Sequence, residues 1–142
     1  MDLLGSEFIV QGGSKETVDL KSKKIVGIYF SAHWCPPCRA FTPKLATTYK
    51  AMKEAGNDIE IVFATFDQSE GDFKGYFKDM PWIAFPHGDP RIKTNSDQYG
   101  VSGIPSLVIL KDGKHVTSDG RMTVADHGEK AYDEWLKLWS FF

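Results

Sequence analysis

The sequence contains little cysteine, carries almost no net charge and has no long apolar run. Only 2 of its 142 residues are cysteines, too few for the disulfide framework that stabilises small secreted domains. The 17 Lys and Arg residues nearly balance 19 Asp and Glu residues, giving a formal net charge of −2. This offers little attraction for nucleic acid or an anionic membrane surface. No apolar stretch reaches the ~18 residues that a membrane-spanning helix needs. We therefore expect neither nucleic acid nor membranes among the partners.

The first seven residues lack the features of a signal peptide, because they contain neither a basic start nor an apolar stretch. Together with the low cysteine count, this predicts a reducing compartment, the cytoplasm and also the nucleus. Hydrophobic residues make up 42% of the chain and aromatic residues 13%, which indicates a packed core and not a disordered chain. The length suits one domain, and we expect residues 1–142 to form it.

Both cysteines lie in one segment, Trp34-Cys35-Pro36-Pro37-Cys38. An apolar run typical of a buried strand, residues 24–31, precedes it, and residues 39–55 follow with helical periodicity. Strand, Cys-x-x-Cys and helix in this order are typical of a redox dithiol of thioredoxin type. The start of a helix lowers the pKa of a thiol there, because its N–H groups are unpaired. We therefore expect Cys35 to be an exposed nucleophile and Cys38 a shielded thiol that resolves the mixed disulfide.

Two other uses of the cysteine pair are less favoured. A zinc site needs four ligands, whereas the sequence has no second cysteine pair and its four histidines lack paired ligand spacing. A purely structural disulfide would remove little chain entropy, because the loop that it closes is short. The prediction is therefore redox chemistry by the dithiol itself, with no metal and no other cofactor.

The rest of the chain alternates predicted strands and helices, which indicates an α/β layer structure. The first predicted elements are a hairpin over residues 8–20 with a turn at Gly12-Gly13, a strand over 59–66 and a helix capped by Ser69. An apolar loop over 80–86, a short helix from Asp89-Pro90 to Tyr99 and a hairpin around Asp112-Gly113 follow. The last predicted element is a helix that Asp126 and Glu129 cap, with one face formed by Tyr132, Trp135, Leu136 and Trp139.

The segment from Tyr29 to Arg39 closely resembles the active-site stretch of the tryparedoxin and nucleoredoxin branch of the thioredoxin superfamily. Three further segments match that branch: 73–77, 80–82 and 99–105. His33 before the tryptophan is similar to nucleoredoxin. The resemblance implies a thioredoxin fold, in which helices flank both faces of a central mixed sheet, here with an N-terminal β-hairpin extension.

The resemblance also implies roles for residues outside the two cysteines. Ile104–Pro105 should be a cis peptide bond beside the dithiol, with the Ile104 backbone open to an extended substrate. Arg121 matches a tryparedoxin arginine that binds the reducing thiol. The remaining site residues are those around the sulfurs: Trp34 on the rim, with Pro36 and Pro37 setting the geometry.

The sequence thus predicts a monomeric thiol–disulfide oxidoreductase that reduces protein disulfides, with peroxiredoxins among the candidate substrates and a thiol compound or reductase upstream. Two positions depart from related patterns. Tyr29 stands where thioredoxins have a buried Asp, so the proton of Cys38 must pass to another group. Gln68 stands where tryparedoxins have a carboxylate, which argues against trypanothione as the reductant. The alternative function is a redox-sensitive protein-binding adaptor of nucleoredoxin type.

Overall fold

The computed structural model describes residues 3–139. Within this range the strands are β1 (Glu7–Ile9), β2 (Lys15–Thr17), β3 (Ile25–Ser31), β4 (Ile59–Thr65), β5 (Ile83–Ala84), β6 (Ser106–Lys111) and β7 (Lys114–Thr117). The helices are α1 (Pro36–Glu54), α2 (Glu70–Phe77), α3 (Pro90–Gln98), α4 (Gly120–His127) and α5 (Ala131–Leu136), with a 3₁₀ turn at Gly128–Lys130 between the last two.

The strands form one mixed sheet in the order β2-β1-β5-β4-β3-β6-β7. The central strand β3 pairs in parallel with β4 and antiparallel with β6. The apolar loop predicted for residues 80–86 is wrong at its centre, because Ile83 and Ala84 form β5. This short strand pairs with β4 on one side and with Ile9 on the other. It therefore attaches the predicted N-terminal hairpin to the central sheet.

Helices cover both faces of this sheet, because the buried side chains of its strands alternate between two core clusters. Every residue of β3 is buried. Ile25 and Tyr29 face the side that α1, α2 and α5 cover, whereas Val26 and Ile28 face the side that α3 covers. The predicted apolar stripe of α1 is buried on the first side, where it consists of Phe41, Leu45, Tyr49 and Met52.

The helix starts follow the predicted capping residues. The side chain of Ser69 accepts a hydrogen bond from the Asp72 N–H at 3.1 Å, and that of Asp89 accepts one from the Arg91 N–H at 2.9 Å. Helix α1 begins at Pro36, three residues before the predicted start, because proline has no N–H to satisfy and fits the first positions of a helix. Among residues 3–139, no helix combines the length and the apolar character needed to cross a bilayer.

The C-terminal region differs most from the prediction. Asp126 lies in the last turn of α4, a helix that its weak apolar pattern did not predict, and so caps nothing. Gly128, with a φ of 56°, ends α4. Tyr132 is buried in α5, as predicted. Trp139, however, lies beyond that helix and is 91% exposed, because α5 ends at Leu136.

Candidate active site

The two cysteines lie at the start of α1 and form a disulfide with a Cα–Cα distance of 5.2 Å. Cys35 is the N-cap residue, and its sulfur accepts the N–H of Cys38 at 3.3 Å. Pro36 and Pro37 lack an N–H, so this donor is the first of the helix. The Cys35 sulfur therefore lies at the positive end of the helix, where negative charge on it is favoured.

Both sulfur-bearing side chains are largely covered in the disulfide. Cys35 is 5% exposed and Cys38 is 0% exposed, with Ala32, Phe66 and Ile104 packed around them. Cys35 is thus the more accessible of the two, but it is much less exposed than predicted from the sequence. Its cover comes from Phe66 and Ile104, which lie far from it in sequence.

The loop before β6 borders the dithiol on one side. Its Ile104–Pro105 peptide bond is cis, as the resemblance implies. The carbonyl oxygen of Ile104 lies 3.9 Å from the Cys35 sulfur. The backbone of this loop is therefore adjacent to the more accessible sulfur.

The loop after β4 fixes the turn that precedes Cys35, through a carboxylate that was not predicted as a site residue. Asp67, 6% exposed, accepts the N–H of His33 at 2.8 Å and the hydroxyl of Thr65 at 2.8 Å. The indole N–H of Trp34 donates to the Phe66 carbonyl at 3.2 Å. One sequence signal could have indicated Asp67, namely an Asp just after a buried strand. Side chains at the carboxyl ends of neighbouring parallel strands lie close together, and functional sites are often found there.

Trp34 is 57% exposed and forms part of the rim around the dithiol, as predicted. His33 is exposed too, and its ring centre lies 5.4 Å from that of Tyr76. Pro36 and Pro37 are exposed at the helix start. Within residues 3–139, no three His, Cys, Asp or Glu side chains are grouped so that they could hold a metal ion.

Four hydroxyl groups form a buried cluster next to Cys38, and only one of them, that of Tyr29, belongs to a residue singled out from the sequence. Thr42 contacts the hydroxyls of Tyr29 and Tyr76 at 2.6 Å each. Ser31 contacts the Tyr76 hydroxyl at 2.9 Å. Burial raises the pKa of Tyr29 well above its usual value, so this residue is neutral where thioredoxins carry an acid.

Arg121 is the second residue of α4 and is exposed. It lines a cavity of about 370 Å³ together with Ile104 and Pro105 of the loop before β6. The fold thus brings this arginine to the same loop that borders Cys35.

The family model for thioredoxin-like proteins matches residues 23–116. The chain belongs to the thioredoxin-like family. Members of this family are thiol oxidoreductases, and the dithiol at the start of α1 agrees with that chemistry. The mixed sheet with helices on both faces is accordingly a thioredoxin fold.

Curated relatives of this thioredoxin-like chain include nucleoredoxins. It is 47% identical over 122 residues to "Probable nucleoredoxin 1" of Arabidopsis thaliana, a match that covers 84% of this chain and 21% of the relative. It is 45% identical over 115 residues to nucleoredoxin of Mus musculus, covering 80% and 26% respectively. The chain therefore spans only about a quarter of the length of these relatives.

Solved structures similar to this thioredoxin-like chain include tryparedoxins. Tryparedoxin I from Crithidia fasciculata matches with a TM-score of 0.80 and 38% identity, covering 89% of this chain and 90% of that one. Thioredoxin from Wuchereria bancrofti matches with a TM-score of 0.78 and 37% identity, covering 95% and 96%. The resemblance to the tryparedoxin and nucleoredoxin branch is thereby confirmed.

Proposed function

We propose that this chain is a thiol–disulfide oxidoreductase that reduces disulfide bonds in proteins. The observation that carries the proposal is the position of the Cys35 sulfur, which accepts the Cys38 N–H at the start of a 19-residue helix. A thiolate at such a position is stabilised and is a good nucleophile. Cys38 lies one turn further along, within reach of the same sulfur.

The reaction consists of two thiol–disulfide exchanges. The Cys35 thiolate attacks one sulfur of the substrate disulfide, forming a mixed disulfide and releasing the other substrate sulfur as a thiolate. Cys38 then attacks Cys35, which forms the Cys35–Cys38 disulfide and releases the second substrate sulfur. The substrate gains two electrons and the proton of Cys38, and the dithiol is oxidised. An upstream thiol reductant returns the protein to the dithiol.

A protein substrate suits the surroundings of Cys35 better than a small disulfide does. The Ile104 carbonyl lies 3.9 Å from the Cys35 sulfur, where a backbone segment of a substrate could pair with it as an added strand. The exposed ring of Trp34 offers an apolar contact beside it. We also propose that the protein acts as a monomer in the cytoplasm or nucleus and that its substrates include peroxiredoxins.

Reduction of insulin by the full chain with dithiothreitol as electron donor tests this function. We expect turnover well above the rate with dithiothreitol alone, and we expect Cys35→Ser to remove the excess rate. A Thr17→Ser variant serves as a control, because residue 17 is exposed in β2, at the edge of the sheet. Turnover that persists in Cys35→Ser, or no turnover at all, would contradict the proposal. Redox-dependent protein binding without turnover would instead support the adaptor function.

A further inference from the structure

The hydroxyl cluster beside Cys38 has only one arrangement of hydrogens that satisfies all its contacts. The Thr42 hydroxyl lies 2.9 Å from the Cys38 carbonyl oxygen. A carbonyl oxygen can only accept, so Thr42 donates its single hydrogen there. The two tyrosine hydroxyls at 2.6 Å must then both donate to the lone pairs of Thr42. Since Tyr76 has used its hydrogen, Ser31 must donate to Tyr76 at 2.9 Å.

Every donor in the cluster is thus directed toward residue 38. One series of hydrogen bonds runs from Ser31 through Tyr76 to Thr42, and a second runs from Tyr29 to Thr42. Both series end on the Cys38 carbonyl oxygen. Hydrogen bonds in such a chain polarise one another, particularly in a dry interior. Ser31, Tyr29 and Cys38 are 0% exposed, and Thr42 and Tyr76 are each 9% exposed, so the cluster is largely shielded from water.

The geometry of α1 places Thr42 one turn after Cys38, with its hydroxyl on the Cys38 carbonyl oxygen. Residues four apart lie on the same face of a helix, and the side chain of the later residue tilts back toward the earlier one. Thr42 therefore lies on the same face of α1 as Cys38. The cluster also anchors the helix at this point, because Pro43, inside α1, has no N–H and removes one backbone hydrogen bond there.

We propose that Thr42, held by Tyr29 and Tyr76, is a positioning residue for the resolving step: it fixes Cys38 and favours negative charge on the buried sulfur as it attacks. This inference rests on the proposed function. In the step, the Cys38 sulfur loses its proton to the departing thiolate, the Cys35–substrate bond breaks and the Cys35–Cys38 bond forms. The thiolate is transient, so aligned neutral donors can assist it where thioredoxins use a buried acid.

The two exchanges can be timed separately with 5,5′-dithiobis(2-nitrobenzoate). Attack by Cys35 on this aromatic disulfide releases a first coloured thiolate, and attack by Cys38 on the mixed disulfide releases a second. The second release measures resolution even if the chain does not reduce protein disulfides. Failure of the proposed function and failure of the Thr42 role are therefore distinguishable.

The decisive variant is Thr42→Val, which keeps the shape of the side chain and removes its hydroxyl. We expect the first release to stay within about two-fold of the parent and the second to slow by roughly ten-fold. This is less than the ~100-fold loss from removing a donor aimed directly at a developing charge, because Thr42 acts through the Cys38 carbonyl. Thr42→Ser, which keeps the hydroxyl, should restore the second release. Thr48→Val, at a buried threonine further along α1, should leave both releases unchanged.

A second release at the parent rate in Thr42→Val would overturn the proposal. So would equal slowing of both releases, or a Thr42→Ser variant as slow as Thr42→Val, since either would indicate a general packing defect. If circular dichroism shows that Thr42→Val is unfolded, Tyr76→Phe takes its place. It keeps the bond from Thr42 to Cys38 but removes one donor onto Thr42. We then expect the second release alone to slow by about three-fold, as for a weakened neutral hydrogen bond, and no slowing would overturn the proposal.

Discussion

The carboxylate of Asp67 accepts a hydrogen bond from the backbone N–H of His33 at 2.8 Å. The two residues follow the neighbouring parallel strands β4 and β3, which end side by side. The same carboxylate accepts the Thr65 hydroxyl, which keeps it in one orientation although it is buried. Asp67 therefore holds in place the turn that delivers Cys35 to the start of α1.

Asp67→Asn should loosen this turn. The amide has one oxygen instead of two acceptors and presents an NH₂ group to one of the two donors. We expect the free energy of unfolding to fall by about 1.5–3 kcal/mol, as for a hydrogen bond to a charged group, and insulin reduction to slow. Urea unfolding and the insulin assay measure the two effects. Asp126→Asn, at an exposed position of α4, should change neither, and an equally small effect at Asp67 would contradict the positioning role.

The two cysteines should respond differently to replacement by serine. Cys35→Ser should abolish reduction of protein disulfides, because the attacking thiolate is absent. Cys38→Ser should instead accumulate substrate bound covalently to Cys35, because nothing resolves the mixed disulfide. Mass spectrometry under non-reducing conditions detects the trapped species. If both variants lose activity and neither traps substrate, the assignment of the two roles is wrong.

The stability of the fold should fall at high pH in part through Tyr49. Its hydroxyl donates to the Glu60 carboxylate at 2.9 Å, and burial together with this negative charge raises its pKa far above the usual range. In the unfolded chain tyrosine ionises near pH 10. The contribution is therefore complete below about pH 10 and is lost as the pH rises above it.

Urea unfolding across that range should show this loss, and Tyr49→Phe should make the decline shallower. The Glu60 carboxylate would still accept a hydrogen bond from the Ile61 N–H in this variant. An identical decline in the parent and in Tyr49→Phe would contradict the assignment.

Gly120 should tolerate no side chain, although it starts a helix. A Cβ there would lie 2.8 Å from the Ile109 side chain and 2.9 Å from the Leu107 carbonyl oxygen. Gly120→Ala should therefore destabilise the protein by about 1–3 kcal/mol. Gly75→Ala, in α2 with nothing within 4 Å of the new Cβ, should instead stabilise it by about 0.5–1 kcal/mol. Thermal unfolding measures the stability of both variants. A Gly120→Ala variant that is as stable as the parent protein would refute the close packing.

Replacement of Arg121 should weaken the binding of the reductant more than the binding of the protein substrate. It lines the cavity beside Ile104 and Pro105, and its predicted partner is the reducing thiol compound. With glutathione as reductant, Arg121→Gln should raise the KM for glutathione several-fold, since an ion pair at a binding site contributes about 1 kcal/mol. The KM for insulin should stay the same. Lys130→Gln, at another exposed position, is the control. An equal change of the KM for glutathione in both variants would contradict the proposed role of Arg121.

The sequence by itself determined the elements that have strong local signals. Examples are the apolar run of β3, the caps Ser69 and Asp89, and the cysteine pair before a helix. Each of these signals depends on residues only a few positions apart, so pattern alone located them. The resemblance supplied the cis bond at Pro105. Local signals failed where they were weak: α4 begins with glycine and has little apolar periodicity, and the strand β5 is only two residues long.

The tertiary structure decided which side chains surround the dithiol. Asp67 lies 34 residues from His33, and Tyr76 lies 34 residues from Thr42. The spacing of apolar residues indicates which face of a strand or helix is buried. It does not indicate which residue of another element packs against that face. That meeting depends on the register of β3 against β4 and on the packing of α1 and α2 over Tyr29. The cover over Cys35 and the direction of the hydroxyl cluster follow from these long-range contacts, because buried polar groups must find partners wherever the fold brings them.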